Sequence, residues 1–353
     1  MIAEKHDDTL LDVPDDLESF NRMFQERGWG DGLPLIPPTR ERVEAMLAGT
    51  DVDRHQVVAV LAPRFGEATV ERIAVNAVMA GCLPAYLPVL LSAVEAVADP
   101  AFNLQALQVT THAVTSCLVI NGPIAAAIGM NSRSNCMGQG NWANATLGRA
   151  LHLALQNIGG AIPVEIDRAT QGQPGKYSFC FAENEAANPW SPLHVERGCS
   201  ADDNAVTVIG AGGTLNLNCH GRTVADLSRS LADSMAFPAS NDYWFGGAPW
   251  IVLAPEHAAV FRQAGLSKSE VKRLLWEQSK LSASRMTAAD LARTRLARAA
   301  EFPDLGPETE LPISPQPDEI GIIVAGGPGT HSVYLPTFGD TRSVTKKIAW
   351  RSR

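Results

Sequence analysis

The residues best suited to chemistry in this chain sit beside glycines. Near its end a β-branched run leads into a glycine loop and a histidine: Ile323-Val324-Ala325-Gly326-Gly327-Pro328-Gly329-Thr330-His331-Ser332. A second segment repeats the arrangement, Val206-Thr207-Val208-Ile209-Gly210-Ala211-Gly212-Gly213, with Cys219-His220-Gly221-Arg222 downstream. Glycines after a buried strand leave backbone N–H groups free to face an anion. An imidazole moves protons near neutral pH or binds a metal. His220 and His331 are therefore the candidate acid/base residues. Gly212, Gly213, Gly327 and Gly329, with Ser332, would hold an oxyanion or substrate, and Arg222 would clamp a carboxylate or phosphate. Each loop also reads as an ordinary tight turn or a capped helix start.

Two thiols are candidate nucleophiles. Cys219 precedes a helix whose N-terminal dipole would favour the thiolate, and Cys136 lies near Arg133 in a Gly/Asn-rich loop. Adjacent side chains diverge, so Cys219-His220 is not itself a dyad, and a buried thiol is the plainer reading. Lys176, after Gly172-Gln173-Pro174-Gly175, would bind an anion or be an exposed turn lysine. Three of His112, His194, His220 and His331 would form a divalent metal site with Glu183, Glu185 or Glu196. No pair has His-x-x-x-His spacing. His152 faces away from the apolar stripe of its helix and reads as surface. His6, His55 and His257 read as structural or solvated, and Cys82, Cys117 and Cys180 as small core residues.

Several classes are excluded. The loop at 326–329 lacks the Gly-Lys-Ser/Thr of a phosphate-binding loop, and its spacing is wrong for a dinucleotide fingerprint, so there is no nucleotide cofactor signature. A net charge of −9 argues against nucleic-acid binding. No apolar run reaches the roughly 18 residues of a membrane helix. The acidic N-terminus has no apolar core and does not read as a signal peptide, so a cytoplasmic setting with reduced thiols is expected. The six cysteines include no Cys-x-x-Cys, against a thioredoxin motif or zinc ribbon.

Helical periodicity and punctuation place the elements. Leu17 to Arg27, Thr39 to Leu47, Val70 to Val78, Leu87 to Val97 and Leu147 to Leu155 read as helices. Val57 to Leu61, Val114 to Ile120, Val206 to Ile209, Trp250 to Leu253 and Ile320 to Val324 read as strands. Thr223-x-x-Asp226 and Ser267-x-x-Glu270 read as helix caps. Gly28 to Thr39 reads as a packed loop, with a pocket lid as the other reading. The pattern predicts an α/β or α+β fold of two similar halves around a shared cleft. The halves span 17–200 and 201–300, after a flexible acidic arm at 1–16. A Pro-rich connector at 301–318 leads to a returning strand and glycine loop at 319–345, then a basic tail at 346–353. Leu61-Ala62-Pro63 and Leu253-Ala254-Pro255, each at a strand end, hint at internal duplication.

Three strings together, Asp31-Gly32-Leu33-Pro34-Leu35-Ile36-Pro37-Pro38-Thr39, Gly172-Gln173-Pro174-Gly175-Lys176-Tyr177 and Ala325 to Ser332, resemble a bacterial family associated with UGSC-type selenoprotein-like proteins. The resemblance covers nearly the whole chain. Lacking Cys-x-x-Cys and Gly-Cys-Ser-Cys strings, the chain would be a companion to a UGSC protein, and the family supplies no catalytic residues to carry over. Two functional readings follow. One is a soluble enzyme, of lyase or hydrolase type, acting on a small polar or anionic substrate through His220 and His331. The other is a non-catalytic partner subunit of a two-component redox or thiol/selenol enzyme. Its interface, with a protein partner or another copy, would be the long loops 129–144 and 183–200 carrying Trp142 and Trp190.

Overall fold

The computed structural model describes residues 10–350. Most of the expected arm lies outside the described residues. The part within them ends at Asp16, whose carboxylate accepts from the Ser19 N–H and caps the helix Leu17–Glu26. The strands in chain order are β1 (Val57–Leu61), β2 (Gly66–Thr69), β3 (Thr115–Asn121), β4 (Cys180–Ala182), β5 (Ala205–Ala211) and β6 (Leu215–Asn218). Then follow β7 (Trp250–Leu253), β8 (Leu281–Ser282), β9 (Glu310–Leu311), β10 (Gly321–Val324), β11 (His331–Leu335) and β12 (Val344–Lys347). β1–β2 and β8–β9 are small antiparallel pairs; the rest form two four-stranded mixed sheets, ordered β12-β5-β3-β4 and β6-β11-β7-β10.

The two sheets have one topology. In each, the first three strands pair antiparallel and the last pair is parallel: β3 with β4, and β7 with β10. Thus β3, β4 and β5 correspond to β7, β10 and β11. A helix opened by proline follows each first strand, Pro123–Ala127 after β3 and Pro255–Gln263 after β7, since proline suits the first helical turn. The duplication is real in topology but not where the Leu-Ala-Pro repeat put it. Leu61 ends β1, outside both main sheets, whereas Leu253 ends β7, the counterpart of β3. The fourth strands are exchanged. β6 follows β5 but pairs in the second sheet, and β12 follows β11 but pairs in the first.

The sheets stack between helical layers. Successive strand residues point to opposite faces, and here both faces are buried. Leu118 and Ile120 of β3, with Val206 and Val208 of β5, join a core with the helices Val70–Ala80, Leu87–Val97 and Trp142–Asn157. Cys117, Val119, Phe181 and Ile209 point the other way, onto Trp250, Val252, Ile323 and Leu335 of the second sheet. The outer face of that sheet, with Ile251, Leu253 and Ile322, packs on Leu231, Phe261, Val271 and Leu275 of the later helices. The order is helices, sheet, sheet, helices, an α/β architecture. Gly321 is required within it, because a Cβ there would sit 2.1 Å from the Trp250 ring.

Three boundaries move. β5 belongs to the first half, not the second. The segment 301–318 is no spacer: it holds β9, and Leu305, Leu311 and Ile313 are buried in the second core. The expected basic tail begins inside β12, where Lys346 pairs with Asp99 (3.2 Å) and Lys347 with Asp203 (2.6 Å). Among the described residues no single helix is long and apolar enough to cross a membrane.

Candidate functional site

The glycine–histidine segments do meet, but not as a cleft. β6 and β11 pair antiparallel, His331 opposite Asn218, and the Cys219 N–H donates to the Thr330 carbonyl (2.9 Å). His220 follows on the same outward side as Asn216 and Asn218, while Leu217 and Cys219 turn inward. His220, Arg222 and His331 are therefore neighbours on an exposed face, with the His331 ring bonded to Asn216 Oδ1 (3.1 Å). The antiparallel pairing sends the other glycines away: Gly212 and Gly213 precede β6 and lie at the far end of the pair, beside His112 and Pro336. The expected common oxyanion cradle does not form. The Gly212 N–H donates to the Pro336 carbonyl (2.7 Å), and the Gly329 N–H to Glu256 Oε1 (3.0 Å). A Cβ on Gly327 would lie 1.9 Å from Ser134 Oγ, so that glycine answers to loop packing.

The proposed nucleophiles are sealed. Cys136 is 5% exposed and belongs to the layer between the sheets, where burial pushes its thiol up to about 11. Burial also raises the Cys219 thiol, the reverse of the helix-end expectation. Its carbonyl accepts from His257 Nε2 (2.9 Å), and His257 Nδ1 in turn takes the Ser332 hydroxyl (2.7 Å). Ser332 also accepts from the Ala254 N–H (3.1 Å) and is 1% exposed. This serine–histidine pair ties β11 to the end of β7 and is not a substrate contact.

The four expected metal histidines do not assemble: His220 and His331 share the exposed β6–β11 face, while His112 and His194 lie elsewhere. His194 is buried, with Nδ1 3.7 Å from Glu185 Oε1. Glu183 accepts from Asn121, Asn188 and the Leu193 N–H, and Glu196 is held by Lys268 and Lys272. His112 packs edge-on against Phe338, and burial first, then Lys176, lowers its pKa. Among the described residues no three His, Cys, Asp or Glu side chains are grouped to hold a metal ion.

The concave site lies elsewhere. A cleft of about 1060 Å³ opens between the start of β3, the helices Leu104–Val109 and Trp142–Asn157, and the irregular segment 161–177. Two of the three resemblance strings converge on it: Asp31 from the first, Gln173 and Lys176 from the second. Asp31 takes a bidentate pair from Arg149 (2.6 and 2.8 Å), and Gln156 Nε2 reaches the Gly28 and Gly30 carbonyls (2.8 and 2.9 Å). The Gly28–Thr39 loop is thus packed onto the helix Trp142–Asn157. Gln173 Nε2 ties the opposite wall to the carbonyls of Ala113 (2.7 Å) and Ala211 (3.0 Å). Lys176 pairs with Asp167 across the cleft wall.

Three polar groups in this cleft stand out. Gln108 Nε2 and Ser116 Oγ are buried without a hydrogen-bond partner, a costly condition in a folded protein. His152 Nε2 lies 3.4 Å from Thr115 Oγ1, and its pKa is lowered to about 4, by burial first and Lys176 second. Most of its surface is covered by protein, and a bound ligand that excludes water favours the neutral ring further. His152 was expected at the surface. The face it shares with Arg149 and Gln156, at spacings of three and four, is the cleft wall. That polar stripe on an otherwise apolar helix was the available signal.

No family model matches the chain, and no curated protein or solved structure matches it.

Proposed function

We propose that the chain is an enzyme of lyase or hydrolase type whose small polar or anionic substrate binds in the cleft between β3, the helix Trp142–Asn157 and residues 161–177. The unpartnered Gln108 Nε2 and Ser116 Oγ carry this reading: buried polar groups are otherwise satisfied, and a ligand supplying acceptors would satisfy both. Lys176 holds the substrate's charge. His152, neutral at pH 7, takes a proton from substrate or water and returns it. A small-molecule library screened by thermal shift on the full chain would find binders, whose turnover NMR then follows. His152→Gln is expected to abolish turnover at least about 10²-fold with binding retained. The wild-type rate should stay level from pH 8 to about 5 and fall towards pH 4, as the ring protonates. Unchanged turnover in His152→Gln would overturn the catalytic reading.

A second reading, a subunit docked to a partner protein, is favoured by one surface. Trp142 is 60% exposed with its indole N–H on the Gly81 carbonyl (2.7 Å), near the exposed Ile36. Trp190 does not join it, since it packs on the second core and donates to the Leu266 carbonyl.

A further inference from the structure

We infer that the cleft selects a small organic monocarboxylate, with its carboxylate at Lys176 and the buried donors of Gln108 and Ser116, and its hydrocarbon body against Leu107, Val114 and Leu155. The inference rests on the cleft being the substrate site, and it names the chemical class that fits there.

The charges that line the cleft decide the sign. Asp31 is neutralised by Arg149, and Asp167 by Lys176. Arg168 bonds the Glu165 carbonyl (3.2 Å) and has no carboxylate partner among the described residues. The lining itself holds Asp31, Asp167, Arg168 and Lys176 and is neutral in sum. With Arg149, which pairs with Asp31 from behind the wall, the set carries one positive charge in excess, which favours an anion. Lys176 has three N–H donors and spends one on Asp167, so two remain for ligand oxygens. The orphan groups match in kind. Gln108 Nε2 offers N–H donors, and Ser116 offers a hydroxyl that donates or accepts. A carboxylate has lone-pair sites enough for all three donors, whereas a primary amide loses the charge and an amine repels Lys176.

The rest of the lining limits the body of the ligand. Leu107, Val114 and Leu155 give an apolar wall beside the polar groups. A doubly charged head would bring a second negative charge for which no uncompensated cation remains, since Arg168 is the single excess charge. A single carboxylate on a short hydrocarbon or aromatic body meets both walls.

The test is calorimetric titration of the full-length protein with matched probes: pentanoate, pentanamide and pentylamine, then benzoate, benzamide and benzylamine, with inorganic phosphate as a further anion. The acids are expected to bind at least about 10-fold tighter than their amides, as loss of a charge-assisted hydrogen bond implies. Lys176→Met, at a partly exposed position, should erase that preference, and circular dichroism would check its fold. Asp167→Asn frees the ammonium and should tighten acid binding. Gln108→Leu should weaken it about 10-fold or more while leaving apolar contact intact. Equal binding of acid and amide, a preference for the amine, or tighter binding of phosphate than of either acid would overturn the monocarboxylate assignment. If a neutral compound binds with Gln108 dependence, the cleft reading survives that result. If no probe and no library compound binds, both readings fall.

Discussion

Asp242 is a residue whose burial and bonding pull in opposite directions. It lies at the start of the helix Asn241–Phe245, fully buried, and its carboxylate accepts from the hydroxyls of Tyr334 and Thr337 and from the Thr337 N–H (3.2 Å). Those bonds favour the charged form, yet desolvation dominates and lifts the group to about 6 from 3.8. A carboxyl with a raised folded pKa binds its proton more tightly in the native state than in the unfolded chain. Its stabilising contribution is full below about 3.8 and is lost as pH rises through about 6. Urea unfolding at pH 5 and pH 7.5 should therefore show the native protein losing stability relative to Asp242→Asn over that interval. A flat difference between the two proteins would mean the carboxyl titrates normally. Only the fold could reveal this group, since nothing in Ser240-Asn241-Asp242 announces that Tyr334 and Thr337 will close over it.

Among the elements, the segment that roofs the cleft carries strain. Val164 has φ of +71° and is 85% exposed. A β-branched residue with positive φ is a true outlier and costs on the order of 1–2 kcal/mol. Val164→Gly removes that cost, loses almost no burial, and adds about 0.5–1 kcal/mol of unfolded-state entropy. The expected result is a melting temperature equal to or slightly above the native value. A clear loss of stability would show that the valine side chain holds the loop. How far such elements are legible depends on where their stability comes from. Thr39, Thr223 and Ser267 cap their helices as read, because capping is local. β3, β5, β7 and β10 were visible as apolar runs because both of their faces are buried. β4, β6, β11 and β12 were not, since three to five residues such as Leu215-Asn216-Leu217-Asn218 become a strand only beside a partner far along the chain. The cleft was hidden for the same reason: Gln108, Ser116 and His152 are polar residues on core elements, and their common cavity exists only once segment 161–177 folds across them.

For the molecule as a whole, the exchanged strands bind two similar halves into one folding unit. A chain of residues 214–353 contains every strand of the second sheet, whereas residues 1–213 lack β12 and leave the edge of β5 unpaired. Expressed alone, the 1–213 fragment is expected to aggregate, because an open edge strand recruits other chains. Co-expressed with 214–353 it should copurify as a soluble pair; a well-folded, monomeric 1–213 fragment would contradict the dependence on β12. The boundary at 200 and the reading of 346–353 as a tail both missed the exchange, which no local pattern encodes.

That exchange also places a delay in the life of every new copy. β5 leaves the ribosome long before Val344 to Lys347, with 132 residues lying between Ala211 and Val344. At about 5–20 residues per second the edge of β5 waits roughly 7–26 s for its neighbour. During that interval the nascent chain presents an open seven-residue strand, and it is in this window that a chaperone has work to do.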